Sequence, residues 1–192
     1  MSISTKTGDS GMTSLLCGIR VKKTHPIIRA CASIDELTAA IGLARAHLSQ
    51  SRNHHPQTDS IQNIQNIQNT LLEIQKQLYA LCSDLSSLSL LSQTETAPNV
   101  SKNLPPSFLK ETHLAFLETM ITELERGTKI NAFVYPGNNP IEASLHHART
   151  ICRRSEIDIV AVSEKIAPLP PLILQYINRL SDVLFLLAAG IA

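Results

Sequence analysis

Apolar residues recur in steps of three and four along five stretches of this chain, the spacing of one face of an α-helix. The first stretch starts at Thr24, His25 and Pro26 and runs to about Leu48, with Ile27, Ala30, Ile34, Leu37, Ile41, Ala44 and Leu48 on one stripe. The second spans about Ser60 to Ser89: the isoleucines of an IQN repeat at 61–69 lead into Leu71, Ile74, Leu78, Leu81 and Leu85. That repeat is too short to mark a solenoid. The third covers about Phe108 to Arg126 with Leu114, Leu117, Ile121 and Leu124, and Gly127 is placed to end it in the left-handed conformation. The fourth starts at Pro140 and extends to about Lys165, with Ile141, Leu145, Ala148, Ile151 and Cys152 at helical spacing. Asn138 and Asn139 supply a capping side chain ahead of it, and proline suits a first helical position. After the break APLPP at 167–171, the fifth runs from about Leu172 to Ala189 on Ile173, Ile177, Leu180, Leu184 and Leu187. Five amphipathic helices predict an all-α fold, an antiparallel five-helix bundle.

The polar stretches fall between these stripes. Residues 49–60, with His54 and His55, read as a loop carrying surface histidines. Residues 92–107, rich in Pro, Ser, Thr and Asn, read as a linker inside one domain spanning 1–192, because the core before it is incomplete without the helices after it. A short extended run at Phe133 ends in a Pro-Gly turn. His113 reads as a surface or helix-start residue.

Composition narrows the class. With 4% aromatic residues and few glycines, the chain favours helix over sheet. A formal net charge of +1 points to neither nucleic acid nor a membrane surface as partner. Cys17, Cys31, Cys82 and Cys152 are scattered without a C-x-x-C pair, so they read as reduced thiols, not as a disulfide framework or a metal site. The N-terminus shows no signal-peptide or presequence pattern, and the apolar tail Val183 to Ile191 is too short to span a bilayer. A cytoplasmic location is the expectation.

Two regions carry candidate chemistry. Residues 4–24 are rich in Gly, Ser and Thr. Gly8 and Gly11 allow close backbone approach to a ligand, and successive N–H groups in such turns form anion nests. The other reading is a flexible N-terminal arm; a Walker A loop is absent. On the fourth helix Arg149, Arg153 and Glu156 share a face, while Arg154 points elsewhere. Guanidinium forks suit phosphate oxygens or a structural carboxylate; the alternative is a solvated, salt-bridged surface. Asp35 beside the first stripe reads alone as a surface acid, Phe133 as a core aromatic, and His146 and His147 as helix-packing residues.

Three blocks taken together resemble the PduO-type ATP:cob(I)alamin adenosyltransferases: STKTGDSGMTSL with IDEL, FVYPG followed by ASLHHARTICRRSE, and INRLSDVLF. They stand in the family's order and run nearly end to end. The resemblance implies a ferritin-like five-helix bundle assembling as a homotrimer, with sites between subunits. It implies transfer of the 5′-deoxyadenosyl group of ATP to the cobalt of a reduced corrinoid, giving adenosylcobalamin and triphosphate, with Mg²⁺ on the phosphates. It implies nucleotide-binding roles for the loop within 1–24 (Thr5, Lys6, Thr7, Gly8, Asp9, Gly11 and Thr13), for Lys23, and for Arg153, Glu156 and Asn178, less securely Arg179. It implies that Asp35 pairs with Arg149 near the corrinoid, and that Phe133 stands where the lower axial ligand of cobalt would sit. A flavoprotein reductase and an adenosylcobalamin-dependent enzyme are the further partners it implies.

The sequence departs from the family pattern at several points. Ile157 and Ala189 stand where arginines are common, Cys31-Ala32 replaces Tyr-Gly, and Asn138 replaces a glycine. The missing arginines leave a second reading open: a non-catalytic corrinoid- or nucleotide-binding bundle that stores or delivers cofactor.

Overall fold

The computed structural model describes residues 4, 6–15, 18–52, 58–88, 107–128 and 133–191. Five helices form: α1 (Pro26–Arg52), α2 (Thr58–Ser87), α3 (Glu111–Gly127), α4 (Pro140–Lys165) and α5 (Pro171–Ala189). Helix α4 packs against α1 on one side and α5 on the other; α2 covers α1, and α3 covers α5. The chain's middle therefore holds α1, α4 and α5 together, and the candidate site residues lie on or beside these three.

The predicted stripes form the core. All seven stripe residues of α1 and all five of α2 from Leu71 to Leu85 are buried, as are Leu145, Ala148, Ile151 and Cys152 of α4 and the five of α5. On α3 only Leu114 and Leu117 are buried, while Ile121 and Leu124 are half-buried, because α3 is an outer helix. Burial of leucine and isoleucine at this density is the main driving force for the bundle, roughly 1.5–3 kcal/mol per fully buried side chain. Helix α5 is long and apolar enough by composition to cross a membrane; its Ile173, Tyr176, Ile177, Leu180, Val183 and Leu184 are buried inside the bundle instead. Tyr176 satisfies its hydroxyl by donating to Gln77 Oε1 of α2 at 2.9 Å.

Helix α4 starts as the sequence predicts. Asn139 is the N-cap, and its Oδ1 accepts from the N–H groups of Ile141 (3.1 Å) and Glu142 (2.9 Å), with Pro140 in the first turn. Three boundaries differ from expectation. The loop expected at 49–60 is shorter, since α1 continues to Arg52 and α2 begins at Thr58. Helix α3 begins at Glu111, not Phe108, because Asp84 of α2 holds the preceding residues in a non-helical path: it accepts from Ser107 Oγ (2.7 Å), Phe108 N (2.8 Å) and Leu109 N (2.9 Å). Gly127 lies inside α3 and not in a left-handed cap; the C-cap is Thr128 in an extended conformation. His113 serves the start of α3, its Nδ1 accepting from Lys110 N at 3.2 Å.

The N-terminal segment is more ordered in pattern than its composition suggested. Met12–Ser14 (β1) and Arg20–Lys22 (β2) pair as an antiparallel hairpin, with Thr13 opposite Val21. Position Thr5 and the linker at 92–106 lie outside the described residues.

Candidate functional site

The loop before β1 folds back on the residue that follows β2. Asp9 N bonds to Lys6 O at 3.3 Å, Gly11 N to Gly8 O at 3.1 Å, and Lys23 N to Gly11 O at 2.9 Å. Lys6 and Gly11 both have positive φ, 56° and 76°. For Lys6 this is a left-handed conformation that costs an ordinary residue about 1–2 kcal/mol. The Lys23 ammonium lies over Gly8: a Cβ placed there would stand 3.1 Å from Lys23 Nζ. Arg20 pins the same loop by donating to Thr7 O at 2.9 Å and Ser14 Oγ at 3.3 Å. Lys6, Thr7, Gly8, Asp9, Gly11, Thr13 and Lys23 are thus brought into one hairpin, with the lysine ammonium beside loop backbone. Arg20 escaped the sequence reading, which weighed the lysines and hydroxyls; only the strand pairing puts it across from Ser14.

On α4 the face with Arg149, Arg153 and Glu156 looks toward α5 and outward. Asn178 Nδ2 of α5 donates to Glu156 Oε1 at 3.3 Å, so two candidate nucleotide residues meet. Arg179 Nη1 donates to Asn178 Oδ1 at 3.0 Å, and its Nε stands 3.7 Å from Glu118 of α3. Arg153 is exposed and makes no hydrogen bond or ion pair with a described residue. Arg154 points to α1 and pairs with Glu36. Arg149 is half-buried with its guanidinium 5.9 Å from the centre of the Phe185 ring, and its Nε is buried without a hydrogen-bond partner.

The expected Asp35–Arg149 pair is absent within one chain. Asp35 is exposed and has neither a hydrogen bond nor an ion pair with a described residue. Phe133 is not a core aromatic either: it is 92% exposed, and Tyr135 nearby is 82% exposed. Two surface cavities, of about 420 Å³ between α2, α3 and α5 and about 580 Å³ by His47 and Asn139, contain none of the candidate site residues.

Behind the Phe133 segment lies a buried polar pair that the sequence reading passed over. Glu142 is fully buried and accepts from Gly137 N (2.8 Å) and Asn138 N (3.1 Å) through Oε2. His146 Nε2 stands 3.2 Å from Glu142 Oε1, close but without the alignment of a hydrogen bond. Its ring meets Phe185 at 5.9 Å. Burial holds the His146 imidazole below its usual pKa, opposed by Glu142 and assisted by Arg149. The signal for Glu142 was present in the sequence as Asn139-Pro140-Ile141-Glu142, a cap followed by glutamate at the third helical position. Cys31 and Cys82 face each other between α1 and α2; the hydrogen bond from Cys82 pulls the Cys31 thiol down, and the same contact pushes the Cys82 thiol up.

The fold is thus a five-helix bundle with an N-terminal hairpin, and arginines and an acid stand on its central helix. The chain matches the cobalamin adenosyltransferase family over residues 3–191 and belongs to that family. It is 35% identical over 189 residues to the corrinoid adenosyltransferase PduO of Citrobacter freundii, covering 98% of this chain and 49% of that protein. It is likewise 35% identical over 191 residues to the corrinoid adenosyltransferase of Mycobacterium tuberculosis (strain H37Rv), covering 97% and 86% respectively. The chain spans about half the length of the PduO relatives it matches. Among solved structures, a variant PduO-type ATP:corrinoid adenosyltransferase from Lactobacillus reuteri complexed with cobalamin and ATP superposes with a TM-score of 0.78 at 27% identity, covering 99% of this chain and 93% of that one.

Proposed function

We propose that this chain transfers the 5′-deoxyadenosyl group of ATP to the cobalt of a reduced corrinoid, releasing triphosphate, and that it is a single domain acting as a homotrimer. One observation carries the reading: several of the side chains its family motifs would use lack partners among the described residues. Among the described residues Arg153 and Asp35 have no hydrogen-bond or ion-pair partner and Arg149 Nε has no acceptor, while Phe133 is 92% exposed. A buried donor such as Arg149 Nε is normally satisfied in a folded chain; here ligands and neighbouring subunits satisfy or cover these groups. The Asp35–Arg149 pair then forms between subunits, and Phe133 of one subunit approaches the Arg153 end of another. Exposed Ile157 (70%) and Val160 (37%) on the outer side of α4 give that contact an apolar component.

In this site the reduced cobalt attacks the ribose C5′ and expels triphosphate. The chemistry belongs to the corrinoid; the protein positions the two reactants in line and receives the charge of the leaving group. The hairpin loop with Lys23, together with Arg153, supplies preorganised donors where that charge grows. Glu156 and Asn178, already in contact, orient the nucleoside end. Magnesium belongs with the triphosphate. Such an ion keeps several waters and would be held through phosphate oxygens, with Asp9 the carboxylate within the loop. Phe133 presents a dry apolar surface to the lower face of cobalt, disfavouring a fifth ligand there and making reduction to Co(I) easier. The free thiols Cys31, Cys82 and Cys152 fit a reducing, cytoplasmic setting in which a flavoprotein reductase supplies electrons and an adenosylcobalamin-dependent enzyme takes the product.

The test is turnover. With ATP, Mg²⁺ and chemically reduced cobalamin, spectral conversion to the adenosylated cofactor supports the enzyme. Tight binding of both ligands with no conversion supports a carrier instead, the reading that the arginine losses at Ile157 and Ala189 would favour.

A further inference from the structure

We propose that Glu142 is the positioning residue for Phe133: its buried carboxylate ties the turn at 136–138 to α4 and thereby sets where the aromatic ring meets the corrinoid. This rests on the role of Phe133 given above. Glutamate at the third position of a helix ordinarily reaches back to the N–H of the N-cap residue. Here the N-cap is Asn139, and Glu142 reaches beyond it to the N–H groups of Gly137 and Asn138, at 2.8 and 3.1 Å. Two successive amides converge on one oxygen because Gly137 has φ 130°, a backbone setting that side-chain-bearing residues rarely adopt. Asn139 closes the turn from the other direction, capping Ile141 and Glu142 through Oδ1 and donating through Nδ2 to Ile191 O at 3.3 Å. The turn is therefore held at Gly137, Asn138 and Asn139, while Phe133 before it is non-helical and 92% exposed. With so little core contact of its own, Phe133 takes its position from the turn.

The other side of the carboxylate leads to the second candidate group. Glu142 Oε1 meets His146 Nε2 at 3.2 Å, His146 meets the Phe185 ring, and that same ring carries the Arg149 guanidinium. Contacts thus run without a gap from the Phe133 turn to Arg149. A fully buried carboxylate is costly to desolvate. The favourable field at a helix N-terminus and two backbone donors offset that cost only while the turn keeps this one geometry.

Four variants decide it, each assayed for cob(II)alamin reduction coupled to adenosylation and for transfer to preformed cob(I)alamin. Phe133→Ala tests the underlying reading: equal loss in both assays overturns the role of Phe133 and this inference with it. Given a selective loss there, Glu142→Ala is expected to lower the cob(II)alamin-dependent rate about tenfold while transfer to cob(I)alamin and KM for ATP stay within about threefold. Glu142→Gln, whose amide oxygen can still accept from both N–H groups, is expected to recover most of the lost rate. Glu142→Asp, one methylene shorter, is expected to resemble Glu142→Ala. Equal loss in both assays for Glu142→Ala, or equal behaviour of the Gln and Asp variants, would leave Glu142 as a fold-stabilising residue and overturn the inference. If Glu142→Ala does not fold, the Gln and Asp comparison decides. EPR of bound cob(II)alamin supplies a readout that stability alone does not move: the fraction lacking a lower ligand should fall in the Ala and Asp variants and hold in Gln.

Discussion

Arg149 holds its guanidinium over the Phe185 ring at 5.9 Å while its buried Nε has no acceptor. The aromatic contact supplies about 0.5–1 kcal/mol and holds the guanidinium against the ring. Lysine keeps the charge but neither stacks as a plane nor donates in a fork. Arg149→Lys is expected to lower kcat/KM with cob(I)alamin by about tenfold or more, with thermal stability changed little, since the Arg149 side chain has no hydrogen bond to a described residue. Steady-state kinetics beside a melting curve check it.

Arg153 presents the opposite case, an exposed cation with no partner among the described residues. Arg153→Ala is expected to leave the fold intact and to reduce turnover with ATP sharply, about 100-fold, if it receives charge from the leaving triphosphate. Unchanged kinetics would remove it from the site.

Gly8→Ala examines the loop. The new methyl group would meet the flexible end of Lys23 at 3.1 Å, so the ammonium swings away at little cost in stability. The expected outcome is a raised KM for ATP with an unchanged melting temperature and unchanged corrinoid affinity.

Asp84 joins α2 to the approach of α3 through three short hydrogen bonds. Removing a charged acceptor leaves two backbone donors without it, and Asp84→Ala is expected to destabilise the protein by about 3 kcal/mol in urea unfolding. Asn, which keeps one acceptor oxygen, should cost less.

His146 gives the bundle a pH dependence. Burial lowers its pKa in the folded state, with Glu142 and Arg149 on its own helix and the Phe185 ring on α5 around it. As pH falls below about 6.5, the unfolded chain takes up a proton that the folded chain resists, so stability declines toward acid. His146→Gln should make that decline shallower when urea midpoints at neutral and mildly acid pH are compared. His25, also lowered by burial, contributes a remaining slope of the same sign.

The candidate residues could be named from the sequence one by one, but their contacts could not. Glu156 and Asn178 were separate candidates in the sequence, and the packing of α4 on α5 brings them together. The Gly-rich opening could be read as a loop or as an arm. Its hairpin depends on a pairing between Met12–Ser14 and Arg20–Lys22 too short to leave a period-two pattern. Phe133, alone an ordinary core aromatic, proved 92% exposed, three residues ahead of the turn at 136–138.

The sequence by itself determined the helices, their buried faces and the cap at Asn139, because these depend on spacing along the chain and on groups within a few residues of one another. Tertiary structure decided which charges remain unpaired, that Asp35 and Arg149 do not meet within one chain, and that Glu142 anchors the Phe133 turn beneath a buried histidine. Such outcomes depend on how whole helices pack and on where each long side chain finds or lacks an acceptor, and a linear pattern does not carry those distances.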